Sequence, residues 1–141
     1  MSSQKKILIV DDVPEITTLI QQFVKKLGHA SKIATSGRVA KDLYRSYLPD
    51  ILILDVIMPD IDGVEFLRWL GQEYPNRSAI LIISGFPGEY VTSVHKLSEP
   101  LNAGISRFLP KPMSFAAFEA ALNDLIAAGE ATANDPDAPQ P

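Results

Sequence analysis

Five side chains suited to phosphate and metal chemistry each follow a short apolar run. Asp11 and Asp12 come after Ile7–Val10, Asp55 after Ile51–Leu54, Ser84 after Ile80–Ile83, and Lys111 just beyond Ile105–Leu109. Three carboxylates brought to one spot repel one another and do not all stay ionised unaided. A hard divalent cation resolves that conflict. Mg2+ prefers oxygen ligands, keeps several waters and suits phosphate chemistry. With the charge balanced, one carboxylate can attack phosphorus and carry the phosphoryl group covalently. The negative charge on that group's oxygens needs partners. The metal, the Lys111 ammonium and the Ser84 hydroxyl are the candidates. Taken singly, an acidic pair is as readily a solvated loop, a serine after a strand is unremarkable, and Lys-Pro is a turn. Their joint occurrence at strand ends carries the argument.

The elements that would position these groups are legible as an alternation. The runs at Ile7–Val10, Ile51–Leu54 and Ile80–Ile83 are short, continuous and apolar, as expected for strands buried on both faces of a parallel sheet. Ala30–Ala34 and Ile105–Leu109 are weaker candidates of the same kind. Between them lie helical patterns. Pro14 suits a first turn, and Ile16, Leu19, Ile20, Phe23, Val24 and Leu27 follow at helical spacing until Gly28. A second helix is expected from about Arg38 to Tyr47, limited by Pro49. A third follows Gly63, and a fourth lies between Pro87 and Leu101, with Pro100 ending or kinking it. A fifth begins after an N-cap at Ser114 and carries Phe115, Phe118, Leu122, Leu125 and Ile126. Strands alternating with helices imply right-handed βαβ units and a flavodoxin-like, doubly wound five-stranded sheet of order 2-1-3-4-5 with five helices. In such sheets ligands bind beyond the C-terminal strand ends, where the five side chains stand.

The chain has 141 residues, so a single domain is expected over 1–128. From Gly129 to Pro141 there is no bulky apolar residue, and Pro136, Pro139 and Pro141 interrupt the chain; 129–141 is expected to be a disordered acidic, proline-rich tail. There is no cysteine, which excludes disulfides, thiolate zinc sites and thiol catalysis. The N-terminus has no signal-peptide core or membrane span, so a cytoplasmic location is expected. A net charge of −4 argues against a general grip on nucleic acid.

The same residues resemble the receiver domain of the two-component response regulator family. Ile7-Leu8-Ile9-Val10-Asp11-Asp12 looks like its first strand and acidic pair. Asp55-Val56-Ile57-Met58-Pro59-Asp60-Ile61-Asp62-Gly63 is similar to its acceptor segment, Ser84-Gly85 to its hydroxyl position, and Phe108 with Lys111-Pro112 to its switch aromatic and lysine. The likeness covers about Lys5 to Ala128. It implies that Asp55 accepts the phosphoryl group, that Ser84 and Lys111 hold its oxygens, and that Ser84 and Phe108 form a switch pair. It also implies a Mg2+ site in which Asp12 is a direct ligand, Asp11 acts partly through water, and Asp55 and the backbone carbonyl of Ile57 complete the protein's ligands. The implied activity is self-phosphorylation and self-dephosphorylation, with no conventional turnover. The implied partners are a sensor histidine kinase or histidine phosphotransfer protein and a downstream protein target, with no role for nucleic acid or membrane. Oligomeric state is left open.

Three departures stand out. The stretch from Ser84 to Lys111 is longer than is common in the family, with the surplus in Pro87–Asn102; the switch aromatic is Phe; and Gly85 replaces the commoner Ala. The chain reads as a stand-alone receiver, the alternatives being a receiver cut from a longer regulator with an output domain or a phosphorylation-independent binding module. The pattern of a haloacid-dehalogenase-type phosphatase is not met, because Val13 and Pro14 stand two residues after Asp11 and Asp12, where that family carries a second Asp. His29 and His95 lack ligand spacing, and Trp69, Tyr74 and Tyr90 read as packing or surface aromatics. Ile57 and Phe86, two residues past Asp55 and Ser84, are expected to flank the phosphoryl group and shield it from water.

Overall fold

The structure is a computed structural model that describes residues 4–85, 89–111 and 113–133; the side chains of 61, 89–91 and 131–133 are not described. In chain order the elements are β1 (Lys6–Val10), α1 (Pro14–Lys26), β2 (Ala30–Ala34), α2 (Gly37–Tyr47), β3 (Ile51–Asp55), β4 (Ile57–Met58), β5 (Ile61–Asp62), α3 (Gly63–Glu73), β6 (Ala79–Ser84), α4 (Glu89–Leu97), β7 (Ser106–Pro110) and α5 (Phe115–Ala133). The main sheet is parallel, in the order β2-β1-β3-β6-β7. This is the expected doubly wound order. The two extra labels belong to a small antiparallel hairpin, β4–β5, inserted after β3.

Alternation along each strand explains why the central runs are apolar throughout. Leu8, Val10, Leu52, Leu54, Ile80 and Ile82 face one core, which holds α2, α3 and α4 through Ala40, Tyr44, Phe66, Leu67, Leu70 and Val94. Ile7, Ile9, Ile51, Ile53, Leu81 and Ile83 face the other, under Ile20 and Val24 of α1 and Phe118, Leu122 and Leu125 of α5. Nearly all these side chains are sealed from solvent. Each such burial stabilises the fold by about 1.5–3 kcal/mol before its conformational entropy cost is counted.

Local chemistry sets the helix ends. After α1, Gly28 takes φ +87°, its N–H donates to the carbonyl of Lys25, and the N–H of His29 donates to that of Val24. That is a Schellman closure, which needs the glycine's freedom at positive φ. Ser36 caps α2 through the N–H of Val39, Asp62 caps α3 through Val64 and Glu65, and Ser114 accepts from Ala117 at the start of α5.

One expectation needs correction. The tail was expected from Gly129, but α5 continues to Ala133. Ala127, Ala128, Ala131 and Ala133 favour helix enough to carry one glycine, which costs only about 1 kcal/mol. Glu130 also pairs with Lys5 at 3.4 Å, tying the extension to the start of β1. The rest of the tail, 134–141, lies outside the described residues. The surplus expected within Pro87–Asn102 includes a flank of α4, which stops at Leu97, after which residues 98–102 turn. Leu101 packs against the α2–α4 core, and its carbonyl comes so near α3 that a Cβ added at Gly71 would sit 1.7 Å away. Only glycine fits there.

Candidate functional site

The sheet register brings the five residues together. Val10 pairs with Leu54, so Asp11 and Asp55, each one residue on, stand level at the ends of neighbouring strands. Asp55 pairs with Ile83, which puts Ser84 one step further. Ser84 pairs with Pro110, and its carbonyl accepts from the N–H of Lys111 at 2.8 Å. β1, β3, β6 and β7 thus deliver side chains at or just past their last residues to the same edge.

Asp11 is fully buried. Its Oδ1 accepts from the N–H of Val13 at 3.0 Å, and its Oδ2 from Lys111 Nζ at 2.7 Å. Asp55 is also buried. Its Oδ1 accepts from the N–H of Ile57 at 2.9 Å, and its Oδ2 from the same Lys111 Nζ at 3.1 Å. Asp12 is exposed. The three carboxylates lie within 4.8 Å of one another.

Electrostatics pull these groups in opposed directions. Burial raises the Asp55 carboxyl above its ordinary range. The Ile57 N–H and the Lys111 ammonium pull it back, the Asp11 carboxylate pushes the same way as burial, and the net shift is upward. For Lys111, burial disfavours the ammonium, but the hydrogen bond to Asp11 and the charge of Asp55 outweigh it, so its pKa is raised and the lysine stays charged. One ammonium therefore serves two buried carboxylates beside a third. The excess negative charge, offered by hard oxygens at ligand spacing, fits a small divalent cation such as Mg2+.

The structure brings together Asp11, Asp12, Asp55 and Lys111, and Ser84 stands fully buried on the strand next to β3. Ile57 follows in β4 with its side chain 40% exposed. Phe108 is half-buried against the α2–α4 core. Phe86, expected to flank the site, lies outside the described residues, as do Pro87 and Pro112. His95 stands apart from the carboxylates, its Nδ1 2.6 Å from Ser106 Oγ. His29 Nδ1 accepts from the N–H of Lys5 at 3.0 Å, and burial lowers its pKa. Trp69 and Tyr74 join Tyr44 and Phe66 in an aromatic group between α2 and α3. The side chain of Tyr90 is not described. The sequence reading missed the β4–β5 hairpin and the bond from the Gly37 N–H to Asp60 Oδ2, 2.8 Å. The available signal was Pro59-Asp60, a turn pair between two apolar residues.

Comparison with known proteins agrees with this geometry. The family model described as "Response regulator receiver domain" matches residues 7–123. Chemotaxis protein CheY of Thermotoga maritima is 29% identical over 120 residues, covering 84% of this chain and 95% of that protein. Response regulator MprA of Mycolicibacterium vanbaalenii is 32% identical over 124 residues, 86% of this chain but only 50% of MprA. Among solved structures, a signal receiver domain from Bermanella marisrubri superposes with a TM-score of 0.73 at 27% identity, covering 88% of this chain and 99% of that one. A CheY-like receiver domain from Methanospirillum hungatei gives 0.78 at 22% identity, over 92% and 98%, a likeness of fold alone. Among the described residues no helix is long and apolar enough to cross a membrane.

Proposed function

The chain belongs to the response regulator receiver domain family, and from that membership we propose that Asp55 accepts a phosphoryl group from a partner histidine kinase or histidine phosphotransfer protein. One observation carries the reading: Asp55 ends β3 with an ammonium 3.1 Å from its Oδ2 and two further carboxylates within ligand distance.

An ionised Asp55 oxygen forms the new O–P bond. The bond from phosphorus to the donor's nitrogen or oxygen breaks, and its electron pair leaves with the donor. Asp55 Oδ2 faces Lys111, so a phosphoryl group carried there stands beside a fixed positive charge. Ser84 contributes a hydroxyl donor from the next strand. Asp12 and Asp11, with Asp55 and the Ile57 carbonyl, would hold Mg2+, which when bound supplies positive charge for the acceptor and the transferred oxygens. The exposure of Asp12 and the saturation of Asp11 by Val13 and Lys111 favour direct ligation by Asp12 and a more distant part for Asp11. Water later attacks the aspartyl phosphate, returning inorganic phosphate and the carboxylate. The phosphoryl group shifts a two-state equilibrium, with Ser84 and Phe108 as the switch pair, and the favoured state presents a surface to a downstream protein.

The test is labelling by acetyl phosphate, followed by intact-protein mass spectrometry. A single phosphoryl adduct is expected on the parent, only with Mg2+, and none on Asp55→Asn. An undiminished adduct on Asp55→Asn refutes the assignment.

A further inference from the structure

The acceptor segment touches a helix that phosphoryl transfer does not use. Asp60 stands with Pro59 in the turn of the β4–β5 hairpin, between Met58 and Ile61. Its Oδ2 accepts from the N–H of Gly37, the first residue of α2, at 2.8 Å. That N–H is one of the donors a helix start leaves unpaired. Ser36 Oγ takes another, from Val39 at 3.2 Å. So α2 has two acceptors at its N-terminus: one local, the other lent by the acceptor segment. The carboxylate also sits at the end of α2 where the helix dipole favours negative charge.

From Asp60 the constraint passes inward. The hairpin sets Met58 opposite Ile61 and Ile57 opposite Asp62, and Met58 is buried. Asp62 is fixed in turn as the cap of α3. On its other side, Ile57 gives its N–H to Asp55 Oδ1. The carbonyl of Ile57 has no rotamer of its own; the hairpin and its anchors alone decide where it stands.

We propose that Asp60 is a positioning residue. Its bond to the Gly37 N–H anchors the acceptor segment on α2, fixes the Ile57 carbonyl for Mg2+, and couples metal occupancy to the first turn of α2. The inference rests on the phosphoacceptor reading given above. Coupling of this kind is reciprocal: if the bond strengthens metal binding, metal binding strengthens the bond.

The test combines Mg2+ titration calorimetry on the parent, Asp60→Ala and Asp60→Asn with amide hydrogen exchange at Gly37, with and without Mg2+. Asn keeps an oxygen for Gly37 and loses the charge, whereas Ala loses both. The expected result is an affinity about fivefold weaker in Asp60→Ala and within about twofold of the parent in Asp60→Asn. Exchange at Gly37 should slow with Mg2+ in the parent and the Asn variant and stay unchanged in the Ala variant. Equal affinities in parent and Ala variant overturn the proposal. So does an Asn variant as weak as the Ala variant, which would make charge the cause. Exchange at Gly37 that ignores Mg2+ in the parent also overturns it, and that measurement needs no variant. A parent that binds no Mg2+ refutes the phosphoacceptor reading instead.

Discussion

Replacing Lys111 by Met keeps the length and apolar stem of the side chain and deletes its charge. In the parent its Nζ stands 2.7 Å from Asp11 Oδ2 and 3.1 Å from Asp55 Oδ2, and the three side chains are 15%, 0% and 6% exposed. The variant leaves two buried carboxylates facing one another without a cation. Removing one partner of a buried ion pair costs about 3–5 kcal/mol. The lower end applies, because Asp55 is already hard to ionise and can take up a proton. A loss of about 3 kcal/mol lowers the unfolding temperature of a domain this size by roughly 10 °C. Mg2+ should shrink that gap, since the freed carboxylates bind it without competition from the ammonium, and ligand at a hundredfold over its Kd contributes about 2.7 kcal/mol. Phosphorylation should nonetheless fall by about a hundredfold, the loss expected when one fixed charge-stabilising donor is removed. Thermal unfolding with EDTA and with Mg2+, beside the acetyl phosphate assay, reads all three effects. An unchanged unfolding temperature in EDTA would show that Lys111 does not hold the buried carboxylates together.

Three further predictions follow from the same site. Asp12→Ala removes an exposed carboxylate, so Mg2+ affinity by calorimetry should fall at least about tenfold while the metal-free fold gains stability; parent-like affinity contradicts the ligand set. Burial raises the folded pKa of Asp55 above 3.8, so ionisation costs the parent stability as pH climbs from 3.8 through that raised value. Metal-free Asp55→Asn should therefore be the more stable protein at neutral pH, and its advantage should disappear as pH falls below 3.8; urea titrations showing a pH-independent gap would count against this account. Ile57 offers no group to orient water, so Ile57→Asn should shorten the lifetime of the phosphorylated form by about tenfold, equal to 1.4 kcal/mol in the barrier; identical decay in parent and variant rules out shielding by Ile57.

Fold and site differed in how far the sequence alone could carry them. Ile7–Val10, Ile51–Leu54 and Ile80–Ile83 marked the central strands, because a strand covered on both faces needs apolar residues at every position. Gly28 and Ser114 marked helix ends through conformational freedom and capping. Once the strand order followed, Asp11, Asp12, Asp55, Ser84 and Lys111 had to meet at one edge, since they stand at or just past the C-terminal ends of four strands of one parallel sheet. The sequence could not show how they share that edge. Lys111 follows β7 and Asp11 follows β1, three strand spacings or about 14 Å apart across the sheet. Only the folded chain shows the lysine reaching back to bridge Asp11 and Asp55. Burial likewise divides two adjacent, chemically identical residues, sealing Asp11 and leaving Asp12 in solvent. The end of α5 escaped the sequence reading because an alanine-rich stretch around one glycine is marginal until Lys5 meets Glu130. The anchor between Asp60 and Gly37 joins residues 23 apart whose types announce nothing about each other. Periodicity and strand-end chemistry are local and were written in the chain; pairing across the sheet, burial and long-range anchoring depend on which surfaces come to share a neighbourhood, and only tertiary packing decides that.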